Sequence, residues 1–154
     1  MTTWKEAMRE GAGTASLASI LSAGYLAWRG ARRGDTAAPL NAVSHWFFGD
    51  RALRQDEPSL MYTLTGYLIH HGAAVMWGVL HAKAWGARER AKKPLPAAVG
   101  AVAASGVACF VDYQLTPKRL TPGFEHRLGR PEMANVYAFF ALGLMLGSMA
   151  MRKR

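Results

Sequence analysis

Four stretches of this chain contain no Asp, Glu, Lys or Arg: Gly11–Trp28, Ser59–Ala82, Leu95–Val111 and Met133–Met151, of 18, 24, 17 and 19 residues. A bilayer core of about 30 Å takes about 20 helical residues, with a working range of about 17–25. Helices of a soluble domain carry charge on their outward face instead. The pattern predicts an all-α fold, an integral membrane four-helix bundle. One transmembrane domain covers 1–154, with spans at about 11–28, 59–82, 95–112 and 133–151. The prolines agree. Pro39 and Pro58 bracket the first connection, Pro94 and Pro96 open the third run, and Pro117, Pro122 and Pro131 fall in the last connection. A hydrophobic content of 51% excludes disorder, and the single Cys109 excludes a disulfide scaffold.

The net charge of +9 would suit nucleic acid, but its distribution does not. Basic residues flank the apolar runs: Arg29, Arg32 and Arg33; Lys83, Arg88, Arg90, Lys92 and Lys93; Arg152, Lys153 and Arg154. Such clusters are expected to meet anionic headgroups of membrane lipids. With four spans, both termini share a side with the short connection Lys83–Pro94, dense in positive charge, which places them in the cytoplasm. Arg29, Arg32 and Arg33 argue the other way. The first run resembles a secretory signal, yet Glu6 and Glu10 dilute the positive segment before it, so it is expected to be retained.

Small residues recur at four-residue spacing, as in Gly11, Ala15, Ser19, Ala23 and Ala27, or Gly66, His70, Ala74, Gly78 and Ala82. Such stripes let helix backbones approach closely in lipid. The third run, richest in Ala, Gly and Ser, is expected inside the bundle, with Cys109 as one more small residue. The fourth is expected to face lipid and to offer Gly143 and Gly147 to a second copy or another membrane protein.

On a wheel of about 100° per residue, Thr63, Gly66, Tyr67, Ala74, Trp77, Gly78 and His81 share the side of His70. Met61, Leu64, Leu68, Val75 and Val79 face away. His70 falls near mid-membrane, and His81 near the far end, where a snorkelling side chain is expected. Asp112 ends the third run at the level where the second begins. Ionisable residues within spans are by default functional candidates. The ligand-binding or proton-handling candidates are Asn41, His45, Tyr67, His70, His71, Asp112, His126 and Asn135, with Tyr113, Glu125 and Tyr137 on the same side. A scaffold role stands beside this. His70 and His71 could bond to Tyr67, Ser105 or Asn135, and Asp112 could simply end its helix or pair with Lys118 or Arg119.

Both connections on that side have character of their own. Pro39–Gly49 reads as a short interfacial helix, with Leu40, Val43 and Phe47 on one face and Trp46, Phe47 and Phe48 in an aromatic belt. The last connection repeats Leu-Thr-Pro at Leu115–Pro117 and Leu120–Pro122, and Thr before Pro suits short capped turns. It reads as an ordered lid.

The segments PLNAVSHWFFGDRA, YTLTGYLIHHGAAVMWGVLHA and VDYQLTPKRLTPGFEHRL resemble those of a family of small, uncharacterised bacterial inner-membrane proteins. The similarity covers most of residues 36–145. It implies a location and a fold, and no activity.

No Glu-x-x-His pair, HExxH, CxxC or GxSxG stands in the sequence. The expectation is a non-catalytic binding or accessory protein for a lipid, a small ligand or a membrane complex. Two alternatives stay open. Asp112 with His70 and His71 could pass protons or ions. A metal could sit among His45, His70 or His71, Asp112 and His126, or haem could bind with His45 or His126 as second axial ligand. No cofactor is assigned.

Overall fold

A computed structural model describes residues 2–151; the tail cluster Arg152, Lys153 and Arg154 lies outside the described residues. Those residues form helices and connections, with no strand. Helix α1 spans Trp4–Arg33, well beyond the first apolar run at both ends. Thr3 and Glu6 form a capping box at its start, and Gly34, at φ 85°, closes it in the left-handed region. Two short helices follow, α2 (Ala38–Val43) and α3 (His45–Phe48). The second run becomes α4 (Thr65–His81), flanked by π-helical turns at Leu60–Leu64 and Ala82–Gly86. Helix α5 (Pro94–Phe110) runs on through a π-helical turn, Val111–Leu115, and α6 spans Arg130–Ala150. Two helices, Pro94–Leu115 and Arg130–Ala150, are long and apolar enough to cross a membrane.

The long helices alternate in direction, and their order in space is α4–α1–α6–α5. Backbone proximity sets that order. A Cβ on Gly78 would lie 2.5 Å from Ala15 Cβ and 2.7 Å from the Gly11 carbonyl, so α1 and α4 cross nearly in contact. A Cβ on Gly143 would overlap the Ala18 backbone, and one on Gly147 would lie 2.7 Å from Thr14 Cα. The small-residue stripes thus bring α4 and α6 onto two faces of α1.

This order corrects three expectations. The central helix is α1, whose Ala15, Ala18, Ser19, Ser22 and Leu26 are all buried. Helix α5 is outermost instead. Only Ala97, Ala101, Ser105 and Ala108 of it are buried, while Val99, Val102, Val107 and Phe110 are exposed. Small side chains permitted burial of α5 but did not compel it. Helix α6 lies between α1 and α5 with Leu144 and Phe140 buried, and α1 already occupies the Gly143/Gly147 face meant for a partner.

The first connection is not an interfacial helix. Every residue of α2 is buried, beneath the lid and against α4, where a Cβ on Gly66 would overlap the Leu40 carbonyl. Only Phe47 reaches fully outward. The last connection is an ordered lid: Phe124 and Leu128 join a core of Tyr25, Leu26, Leu40, Val43 and Val136. Trp46 Nε1 donates to the Thr121 carbonyl at 2.9 Å, which fastens the lid to α3.

Several charges expected at headgroups are used inside the protein. Lys92 and Glu10 form a buried ion pair at the end bearing the N-terminus. At the lid end Arg29 and Arg33 both pair with Glu132 of α6, and Arg127 pairs with Asp56 at 2.7 Å. His81 does not snorkel. It is 4% exposed, against Gly86, and neither ring nitrogen has a partner among the described residues.

Candidate functional site

Helices α4 and α5 follow each other in sequence yet barely touch, because α1 and α6 come between their inner faces. The gap holds a cavity of about 240 Å³ under the lid. Phe124, Leu120 and Pro122 of the lid and Trp46 of α3 roof it; Ile69, Trp77, Val136 and Phe140 form much of the wall. His70 and Asp112 both line it.

His70 sits on the α1 side. Its Nε2 lies 2.9 Å from Ser22 Oγ. Ser22 has one hydroxyl proton, and the Ala18 carbonyl accepts it at 2.8 Å. The Ser19 carbonyl is also in reach of that hydroxyl, at 3.3 Å; with the proton on either carbonyl, Nε2–H donates to Ser22 and Nδ1 is the acceptor of the ring. Asp112 stands on the α5–α6 side, where the Tyr137 hydroxyl donates to Oδ2 at 2.7 Å. Its second oxygen has no hydrogen-bond partner among the described residues. Among those residues Asp112 is the one carboxylate lining the cavity, and with no lysine or arginine lining it no fixed cation opposes that group. His70 and the Asp112 carboxylate thus line a space whose other walls are largely apolar.

The remaining candidates divide. Tyr67 stacks on His71 with ring centroids 5.9 Å apart, and neither residue lines the cavity. Asn41 is fully buried and acts as a clamp. Its amide donates to the Gln55 and Glu57 carbonyls at 2.9 and 3.0 Å, and its oxygen accepts from Thr63 Oγ1 at 2.6 Å. That arrangement uses both ends of the side chain to hold the loop before α4. His45 Nδ1 donates to the Ala42 carbonyl at 2.9 Å, which ties α2 to α3. His126 is largely exposed, its ring centroid 6.3 Å from that of His45. Asn135 donates to the Tyr25 hydroxyl at 3.1 Å on another face of α6. Ser105, an expected partner for the histidines, donates instead to the Tyr137 carbonyl at 2.7 Å. Tyr113 reaches Glu125 of the lid at 3.5 Å. Among the described residues Asp112 forms no ion pair with Lys118 or Arg119; it accepts from Tyr137, and Arg119 donates to the Trp46 carbonyl.

Among the described residues no group of three or more His, Cys, Asp or Glu side chains could hold a metal ion. The set His45, His70 or His71, Asp112 and His126 is split between the cavity, the α2–α3 joint and the lid surface. Sequence reasoning missed Ser22; it placed Trp77 on the face of His70 and Trp46 in an aromatic belt without assigning either to the site. The serine had a signal: Ser19 and Ser22 stand one turn apart on a face of α1 rich in alanine.

No protein family, no curated protein and no solved structure matches this chain. The functional reading therefore rests on the geometry of the site.

Proposed function

We propose that this is a multi-pass membrane protein that binds, without catalysis, a small amphipathic molecule between α4 and α5. The observation that carries the reading is the lidded, largely apolar cavity lined by His70 and Asp112, each with an acceptor left over from its own hydrogen bond. A head group that fits is a hydrogen-bond donor, neutral or cationic: an alcohol or an amine. A carboxylate or phosphate would meet Asp112 with no cation to offset the repulsion.

Four spans are supported by the exposed apolar surface. Met61, Leu64 and Leu68 line the outer face of the α4 stretch, Met76 and Leu80 are exposed beside the gap to α5, and Ile20, Trp28, Leu142 and Leu146 are exposed on α1 and α6. A water-soluble monomer rarely shows so large an apolar patch. With its two π-helical turns the α4 stretch, Leu60–Gly86, reaches about 40 Å at about 1.5 Å per residue. Helix α1 is less apolar because α4 and α6 shield it from lipid. The proposed setting is a bacterial inner membrane with both termini cytoplasmic. Of the three arginines that opposed that orientation, Arg29 and Arg33 are committed to Glu132 and Arg32 stays exposed, as do Arg88, Arg90 and Lys93 near the N-terminal end.

The test is native mass spectrometry of protein extracted in a mild detergent. The expected result is a retained small amphiphile with a hydroxyl or amine head, lost from Asp112→Asn and His70→Ala while both variants stay folded. Recovery of an anionic lipid alone, equally from parent and variants, would refute the reading.

A further inference from the structure

The gap between α4 and α5 does not end at the cavity floor. Beyond Trp77, which lines both spaces, lies an apolar groove of about 420 Å³. Its walls are Leu80 and Trp85 from α4 and its π-turn, and Ala103, Ala104 and Val107 from α5. Trp85 closes the far end: its indole N–H donates to the Pro96 carbonyl at 2.9 Å, and the ring lies on Gly100. His70, Ala74, Trp77 and His81 stand within about 60° of one another on α4, so one stripe lines both spaces.

Resting on the reading above, we infer that the ligand is a single-chain amphiphile. Its donor head sits at His70 and Asp112, and its alkyl tail passes Trp77 into the groove between α4 and α5. Three observations select this occupant. The groove continues the candidate site through Trp77, and its only polar lining residue is His81. The length also fits: His70 and His81 are about 16 Å apart along the helix, the span of roughly a dozen methylene groups. Bulk on α5 is absent where the tail would lie. Ala103, exposed at the rim, and Ala104, half-buried, leave the groove open where larger side chains would fill it.

The experiment uses the full chain in lipid nanodiscs and two photoreactive dodecylamines, one with its diazirine beside the amine and one with it at the chain end. Labelled peptides are mapped, with excess dodecylamine as competitor. The near-head probe should label the lid or the Val111–Thr116 turn, and the chain-end probe should label Leu80–Trp85 or Val99–Val107, both competably. Ala103→Phe and Val107→Phe fill the groove from exposed positions that tolerate bulk. Each should cut chain-end labelling there at least about tenfold and leave near-head labelling within about twofold. Competable near-head labelling without groove labelling would overturn the tail path alone, as would groove labelling that persists in both variants. No competable labelling by either probe would overturn the binding site and the tail path together.

Discussion

Asn41 and Lys92 show how a residue's role depends on what surrounds it. Asn41 reads as a ligand-binding candidate because it is polar and near the membrane surface. In place it satisfies two carbonyls and one hydroxyl, all needed to fix the loop before α4. Asn41→Ala should lower stability by about 1–3 kcal/mol, since buried groups lose their partners; thermal unfolding in detergent measures it. Lys92 reads as a headgroup contact, yet it is 2% exposed and paired with Glu10. Removing one partner of a buried pair typically costs about 3–5 kcal/mol, whereas replacing both by apolar residues is often close to neutral. Lys92→Met should therefore destabilise far more than the double variant Glu10→Leu/Lys92→Met. Equal melting of the two would mean the pair contributes no specific constraint.

At the scale of elements, glycine distinguishes helices that meet from helices that do not. Gly143 lies against the Ala18 backbone, while a Cβ at Gly106 or Gly24 would meet nothing within 4 Å. Gly143→Val should separate α1 from α6 and cost at least about 1–3 kcal/mol. Gly106→Val should be near neutral. Both are read from the folded fraction after heating in detergent. Within α5, Ala101→Leu should disrupt folding because Ala101 is fully buried in the core it shares with Ala141 and Leu144. Ala104→Leu should not, because that side chain borders the groove. A four-residue stripe of small side chains was legible in the sequence for every long helix. Which stripe would be used was not. Such a stripe states that close approach is allowed and is silent about which neighbour takes it.

For the whole molecule, the proposed four-span arrangement predicts where single cysteines can be labelled from outside. On a Cys109→Ala background, Thr2→Cys and Arg90→Cys should react on one face of the membrane, and Asp50→Cys and Lys118→Cys on the other. Arg90 reacting with Asp50 would defeat the topology. The lid side holds the candidate site, so reagents reaching Lys118 share a face with the ligand's head. Proteolysis of an exposed lid residue such as Arg119 should be slowed by bound ligand, because closure depends on Phe124 and Trp46 lining the same cavity that the ligand fills.

What the sequence determined by itself was local. Charge-free runs set the number and rough positions of the long helices, Thr3, Glu6 and Gly34 set the ends of α1, and helical periodicity put His70, Trp77 and His81 on one face of α4. Asp112 at the end of the third run followed from counting alone. Only the tertiary structure decided that α1, the least apolar of the four, lies at the centre, that α5 lies outside, and that a gap opens between two helices adjacent in sequence. The physical reason is that periodicity fixes directions about one helix axis, whereas the order of helices depends on which backbones approach most closely. Gly11 with Gly78, and Thr14 and Ala18 with Gly147 and Gly143, settle that order through contacts far apart in the chain. The Ser22–His70 pair is a consequence of the same approach: it exists because α4 packs on α1, and no spacing within either helix encodes it.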